Sequence, residues 1–282
     1  MDGFALTYKL NGMSPLTIEH HQHKLLRFAQ YLDDQQLTHI DTAVIRGFLG
    51  HVRDTYSLSP LTVERYLVAL KAFWRWAIEE GYADSNPTTK VRLARPPQKL
   101  VRGLSPEQTK VLLNALADEK PRDKAIVLIL LDTGIRVSEL VNVKIEDVDM
   151  QRGVIRIMGK GSKERLVRMG LKTQKALWRY LALRKNDSPW LWINQYGGRL
   201  LSNGVQQMMR KLGRRIGVPE LHPHLLRHTF AISFLRNGAN TFECQYTLGH
   251  STLEMTRRYT QALNFEDVFK RHQTASPVDN IR

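Results

Sequence analysis

Three segments in the second half of the chain set titratable side chains beside apolar, helix-like runs. They are Thr133-Gly134-Ile135-Arg136-Val137-Ser138-Glu139-Leu140, His222-Pro223-His224-Leu225-Leu226-Arg227-His228-Thr229-Phe230, and Leu248-Gly249-His250 followed nine residues later by Tyr259. A tyrosine hydroxyl attacks only when a base and positive charge stand beside it. Guanidinium forks grip oxyanions through paired N–H donors. Each segment alone is a weak signal. An Arg just past a Gly is usually a surface or salt-bridged residue. His224 and Arg227 are i, i+3 and would point the same way on a helix, but that spacing is common. His250 reads alone as a helix-end residue, and Tyr259 as half-buried core.

The elements that must position these groups fall into two parts. Residues 1–88 read as a helical domain. Ser14-Pro15 opens one helix with Leu25, Leu26, Phe28, Ala29 and Leu32 at helical spacing, and Asp41 precedes a second with Val44, Ile45, Phe48 and Leu49. Ser59-Pro60 opens a third with Tyr66, Leu67, Ala69, Leu70, Phe73, Trp74 and Ala77, and Gly81 is its expected stop. A capping side chain followed by Pro at the first helical position is a start signal. Residues 89–103 read as a linker, with Pro96-Pro97, Gly103 and the basic Lys90, Arg92, Arg95 and Lys99. Residues 104–282 form the second domain. It begins at the capping box Ser105-Pro106-Glu107-Gln108 and includes a helix over Ala125–Leu131 ended by Thr133-Gly134. Strand-like alternation over Gly153–Met158 faces a partner at Leu166–Met169 across a turn at Gly159–Lys163. The expected fold is mainly α with a small β-hairpin: a helical N-terminal domain and a mixed α+β catalytic domain.

The charge balance narrows the partner. The 282 residues carry 42 Lys and Arg against 27 Asp and Glu, a net +15. Residues 1–100 hold 12 and 10 of these, so +13 of the net charge lies in residues 101–282. Such a one-sided field suits nucleic acid or an anionic membrane surface, the alternative being a surface charged for solubility. No apolar run is long enough to span a bilayer, and the N-terminus lacks signal-peptide regions. The single cysteine, Cys244, excludes an intrachain disulfide and a Cys-based zinc site. It reads as a small core or surface residue of a cytoplasmic protein.

Taken together and in order, Arg136, Lys160 in the hairpin, His224-x-x-Arg227, Gly249-His250 and Tyr259 resemble the tyrosine recombinases, the phage-integrase family. The resemblance runs from Gly134 to Thr260, and the preceding helices are similar to the family's DNA-clamping domain. The Gly159-Lys160-Gly161-Ser162-Lys163-Glu164-Arg165 hairpin looks closest to Xer-type recombinases and simple mobile-element integrases. The flanks differ: Thr260-Gln261 follows Tyr259 where Xer proteins usually have Thr-His, and the run Phe242–Thr247 departs from the common one. Both chromosome-dimer resolution and integration or excision of a mobile element therefore stay open.

The resemblance implies strand cleavage and rejoining through a 3′-phosphotyrosyl link to Tyr259. Arg136 and Arg227 would hold the non-bridging phosphate oxygens, with no metal or other cofactor required. His224 with the arginines would activate the tyrosine, Lys160 would protonate the leaving 5′-oxygen, and His250 would donate to a phosphate oxygen. Glu139 would orient the basic groups. A stored phosphotyrosine needs no ATP, and no phosphate-cradling Gly-x-x-x-x-Gly-Lys-Ser/Thr loop is present. Implied partners are double-stranded DNA with paired half-sites and a homotetramer on it, possible also with a paralogue. Of the 23 residues after Tyr259, a tail from about 262 carries Asn264 as a cap and Phe265, Val268 and Phe269 at i, i+3, i+4. It would dock on a neighbouring protomer, the alternative being its own domain. Lys90, Arg92, Arg95, Lys99, Arg65 and Lys71 are candidate DNA contacts, with the Arg65–Lys71 helix a candidate reader, and the protein would work at the nucleoid. Two rivals remain: a type IB topoisomerase, and a DNA-binding regulator without catalysis. His222, His224 and His228, with His20, His21 and His23, invite a metal-site reading. Pro223 spoils a regular ligand face, and the N-terminal histidines are expected on a solvated or DNA-facing side.

Overall fold

Side-chain caps set where the first helices begin. In the computed structural model, which describes residues 2–33, 39–94, 100–159, 164–185, 187–263, 267, 269, 272, 276 and 278, Ser14 accepts from the Thr17 backbone N–H to start α2 (Pro15–Leu32). Asp41 does the same from Val44 for α3 (Thr42–Thr55), and Ser59 from Thr62 for α4 (Pro60–Glu79). Each bond satisfies one of the donors a helix start leaves unpaired. Gly81, at φ 74°, lies in the turn after α4. A further helix, α1 (Asp2–Leu10), precedes them and has no counterpart in the sequence reading.

The chain divides into two compact units, residues 1–98 and 99–282. In the first, α1 lies on α2, and α2 and α3 both pack on α4. Its core is aromatic and aliphatic: Phe4, Phe28, Ile45, Phe48, Leu70 and Trp74 are buried. Phe28 meets Phe48 and Trp74 edge-on at 4.8 and 5.6 Å, a favoured aromatic geometry. Leu26 and Ala29 turn outward, because burial follows the Leu25, Phe28, Leu32 stripe. His21 also departs from expectation. It is half-buried, its ring 6.2 Å from both Phe4 and Tyr8, while His20 and His23 are exposed. The cause is α1, which covers that side of α2.

In the second unit α5 (Pro106–Ala115) starts with both bonds of the Ser105–Gln108 capping box. α6 (Pro121–Thr133) is buried on most of its surface. After it come α7 (Val137–Leu140) and a three-stranded antiparallel sheet, β1 (Val148–Asp149), β2 (Val154–Met158) and β3 (Glu164–Arg168), in that order. Ile155 and Ile157 of β2 face the core, as do Arg165 and Val167 of β3. The second long strand therefore begins two residues before the expected Leu166, and Leu166 points to solvent. Helices α8 (Leu171–Leu183), α9 (Ser202–Arg215), α10 (Pro223–Arg236), α11 (Thr241–Leu248) and α12 (Leu253–Thr260) complete the unit. α6 packs against α8 and α10, and α12 against α10 and α11. Cys244 is fully buried in the small core that α10, α11 and Tyr259 share. No described helix is long and apolar enough to cross a membrane.

Candidate active site

Two glycines with left-handed backbone close two helices at the site. Gly134 (φ 63°) ends α6 and Gly249 (φ 64°) ends α11. A Cβ on Gly134 would lie 2.3 Å from the Phe230 ring, and one on Gly249 2.8 Å from the Arg165 guanidinium. Neither position tolerates a side chain, on grounds of space as well as conformation. Their carbonyls are what the arginines grip. Arg227 Nη1 donates to Gly134 O at 2.6 Å and Nη2 to Leu248 O at 2.9 Å, while both Arg136 Nη atoms approach Gly249 O at 3.3–3.4 Å.

Glu139 organises the other cations. Its carboxylate accepts from the Arg136 backbone N–H at 2.8 Å and from Arg136 Nη1 at 2.9 Å. It also accepts a bidentate pair from Arg165 at 3.1 and 2.8 Å, the fork-to-carboxylate geometry of strong ion pairs. Burial would raise the Glu139 pKa, but these donors together hold it below its ordinary value. Arg165 further donates Nε to Thr247 O at 2.9 Å. Three guanidiniums against one carboxylate leave two net positive charges here. Arg227 is 1% exposed and bonded to carbonyls. Burial, reinforced by Arg136, pushes its pKa down to about 10. A buried cation held by dipoles is costly unless an anion joins it, so the site is built to receive one.

Tyr259 on α12 is 4% exposed. Burial raises its pKa, and Arg227 opposes that rise. Its hydroxyl lies 3.0 Å from His228 Nδ1, a residue that the sequence singled out only as a conceivable metal ligand. His224 is exposed and sets its ring 4.3 Å from that of His228, nearly edge to face. His250 lies parallel to the Tyr259 ring at 6.1 Å, with Nδ1 2.8 Å from Thr256 Oγ1. Burial, then neighbouring cations, push His228 and His250 down to about 4 and His224 in the same direction. His222 Nδ1 instead caps α10, accepting from the Leu225 N–H at 3.1 Å. Among the described residues no three His, Cys, Asp or Glu side chains gather as a metal site.

Of the sequence candidates, Arg136, Glu139, Arg227, His250 and Tyr259 thus meet around α7, α10, α11 and α12, with His224 at the edge through His228. Lys160 lies outside the described residues, as do Arg95 and Lys99. Arg65, Lys71, Lys90 and Arg92 are exposed. Tyr66, on the candidate reading helix, is buried and bonded to Arg27 Nη1 at 2.7 Å, so of the three residues singled out there only Arg65 and Lys71 point outward. The sequence reading missed Arg165 and His228. The signal for Arg165 was the period-2 pattern of its strand, which places it beside Val167 on the inner face.

Comparison with known proteins gives a consistent picture. Residues 102–265 match the phage integrase family and residues 2–81 the phage integrase N-terminal SAM-like domain. A tyrosine recombinase XerC from Thermodesulfovibrio yellowstonii is 36% identical over 235 residues, 78% of this chain and 77% of its own. A tyrosine recombinase XerD from Listeria innocua is 32% identical over 276 residues, 92% and 93% of the two chains. Among solved structures, the Tn1549 transposon integrase in complex with transposon right-end DNA superposes with a TM-score of 0.80 at 20% identity, over 97% of this chain and 98% of that one. The XerA recombinase gives 0.56 at 28% identity, over 98% and 97%.

Proposed function

The chain belongs to the phage integrase family of tyrosine recombinases, and on that premise we propose that it is a site-specific recombinase that cuts and rejoins DNA through a 3′-phosphotyrosyl link to Tyr259. The observation that carries this assignment is the setting of the Tyr259 hydroxyl. It is held by one imidazole, flanked by the ring of a second, and acted on by the buried Arg227. A phosphodiester under attack gains negative charge on its non-bridging oxygens, and two net positive charges fixed beforehand stabilise that change without reorganising.

Arg136 and Arg227 take those oxygens in this assignment. Losing either guanidinium raises the barrier by roughly 3 kcal/mol. His250 donates to a phosphate oxygen, His224 stands on the base side, and Lys160 gives its proton to the leaving 5′-oxygen. Glu139 positions Arg136 and is not itself a reacting group. The +13 of residues 101–282 supports duplex DNA as the partner. So does the exposure of Arg65, Lys71, Lys90 and Arg92, which with Arg95 and Lys99 would contact phosphates and make affinity fall with salt. The related recombinase structures determined with DNA point the same way.

The test is a duplex nicked just beyond the cleavage site, so that the short fragment carrying the released 5′-hydroxyl diffuses away. Wild-type protein accumulates an SDS-resistant DNA adduct, and Tyr259→Phe yields none; an adduct formed equally by Tyr259→Phe removes the assignment. Exchange between two duplexes calls for a tetramer acting at the nucleoid, with the tail as the link between protomers. The support is the apolar i, i+3, i+4 spacing of Phe265, Val268 and Phe269, while Arg236 and Asp267, 3.2 Å apart, tie part of the segment to α10 of its own chain. Phe265 and Val268 lie outside the described residues. Deleting residues 264–282 should spare single-site binding and adduct formation but impair strand exchange, and intact exchange would place the tail on its own domain.

A further inference from the structure

Building on the recombinase assignment, we propose that His228 is a catalytic residue: its Nδ1 takes the proton from Tyr259 as the tyrosine attacks. A general base must stand within hydrogen-bond reach of the proton it removes, and His228 Nδ1 is 3.0 Å from the hydroxyl, with the rings 5.5 Å apart. Among the described residues, no other group with a lone pair to offer is bonded to the hydroxyl. His250 Nδ1 pairs with Thr256, His222 Nδ1 with the Leu225 N–H, and Glu139 with Arg136 and Arg165. Arginines have no lone pair to offer. His224 reaches the hydroxyl's surroundings by packing on His228, so the base function assigned to that side of the pocket begins at His228 with His224 behind it.

The charges around His228 suit this part. His224, His222 and Arg227 act on its ring from α10, and Arg258 from α12 beside Tyr259. Burial first, with Arg227 and Arg258 as the standing cations, holds the imidazole neutral at physiological pH, so a tautomer carrying its hydrogen on Nε2 has a free lone pair on Nδ1. The same cations weaken it as a base until a phosphodiester enters. That negative charge offsets the field of Arg136 and Arg227 and raises the proton affinity of His228 when it is needed. In the step itself Tyr259 Oη forms a bond to phosphorus while its proton moves to Nδ1. The bond from phosphorus to the 5′-oxygen breaks, and that oxygen takes a proton from the Lys160 ammonium. The products are an imidazolium, a neutral amine, a phosphotyrosine and a free 5′-hydroxyl. Rejoining runs the same transfers backwards.

Single-turnover cleavage of the nicked duplex tests the assignment. An amide in His228→Asn can hold the hydroxyl but cannot take its proton, so adduct formation near neutral pH should slow by about 10²-fold or more. The deficit should narrow as pH rises and hydroxide substitutes for the imidazole, with duplex binding unchanged. A substrate with sulfur in place of the bridging 5′-oxygen expels its leaving group without a proton. It should restore Lys160→Ala and leave His228→Asn slow. A His228→Asn rate within about threefold of wild type at every pH, far less than a general base contributes, overturns the proposal and leaves His228 a positioning residue. Restoration by the sulfur substrate also overturns it, by moving the residue to the leaving-group side. If His228→Asn fails to bind the duplex, His228→Ala with added imidazole decides instead. Imidazole-dependent adduct formation supports the assignment, and a binding-competent protein that imidazole does not restore overturns it. Failure of wild-type protein to form any adduct overturns the recombinase reading itself, an outcome distinct from these.

Discussion

The two units bury different things. In residues 2–94 the described core is hydrocarbon and aromatic rings, and its single fully buried polar residue of note is Thr88, which bonds to Asn86 beside it. In the second unit the interior also takes in Asp123, Glu139, Arg165 and Arg227. Both units start their helices with the same devices, Pro at N1 behind Ser14, Ser59 and Ser105. The contrast therefore lies in what the packed elements enclose, not in how they are made. A unit that encloses only apolar groups gains stability from every contact. A unit that encloses the guanidiniums of Arg165 and Arg227 with the Glu139 carboxylate gives up some of that gain to keep charge where a reaction needs it.

That contrast predicts opposite behaviour for two buried side chains of similar bulk. Trp74, 1% exposed and edge-on to Phe28 and Phe73, is pure packing. Trp74→Ala should cost about 3–5 kcal/mol of stability, read as a lowered denaturation midpoint. Arg227→Met should instead cost about 3 kcal/mol in the barrier to cleavage, a slowing of roughly 10²–10³-fold. Its effect on the denaturation midpoint should be small, because relief of the buried charge offsets the two carbonyls left without a donor. If Arg227→Met destabilises as much as Trp74→Ala, the buried guanidinium is structural and the distinction between the units fails.

Much of this division was legible in the sequence, for reasons that also explain the gaps. The starts of α2, α3 and α4 could be read because Ser14, Asp41 and Ser59 are local signals that need no tertiary partner. Helix α1 could not: Phe4 is its one fully buried residue, and it is held from outside by Trp76 at 5.7 Å. Arg136, Arg227, His250 and Tyr259 could be named because their order is a pattern. Arg165 was hidden because the expected strand began at Leu166, yet the strand starts at Glu164 and its register turns Leu166 out and the Arg165 guanidinium in toward Glu139. His228 was hidden for a related reason. Its partner Tyr259 is 31 residues away, and nothing local distinguishes it from His222 and His224. The hairpin tip with Lys160 and most of the tail lie outside the described residues, so their expected roles rest on sequence.

The smallest expected effect distinguishes the units by pH. In the second unit His228 and His250 are both pushed down to about 4, below the ordinary 6.5, so the folded state resists protons that the unfolded chain accepts. Between those values unfolding takes up protons, and stability must fall as pH falls. The contribution is fully present above pH 6.5 and lost as pH drops through about 4. Allowing for solvent near both rings, it amounts to about 1 kcal/mol per histidine. The first unit has one comparable group, His21, lowered chiefly by burial. Hydrogen exchange on the full chain, corrected for the intrinsic dependence on pH, should show peptides from α10 to α12 losing protection earlier on acidification than peptides from α3 and α4. Glu139, held below its ordinary value, adds to the loss only at still lower pH, so a decline that begins above pH 5 belongs to the histidines. Replacing His250 with Asn should flatten that early decline in the second unit and leave the first unit's profile unchanged. Equal acid sensitivity in both units would mean that the buried charges around Tyr259 do not set the stability of the unit that holds them.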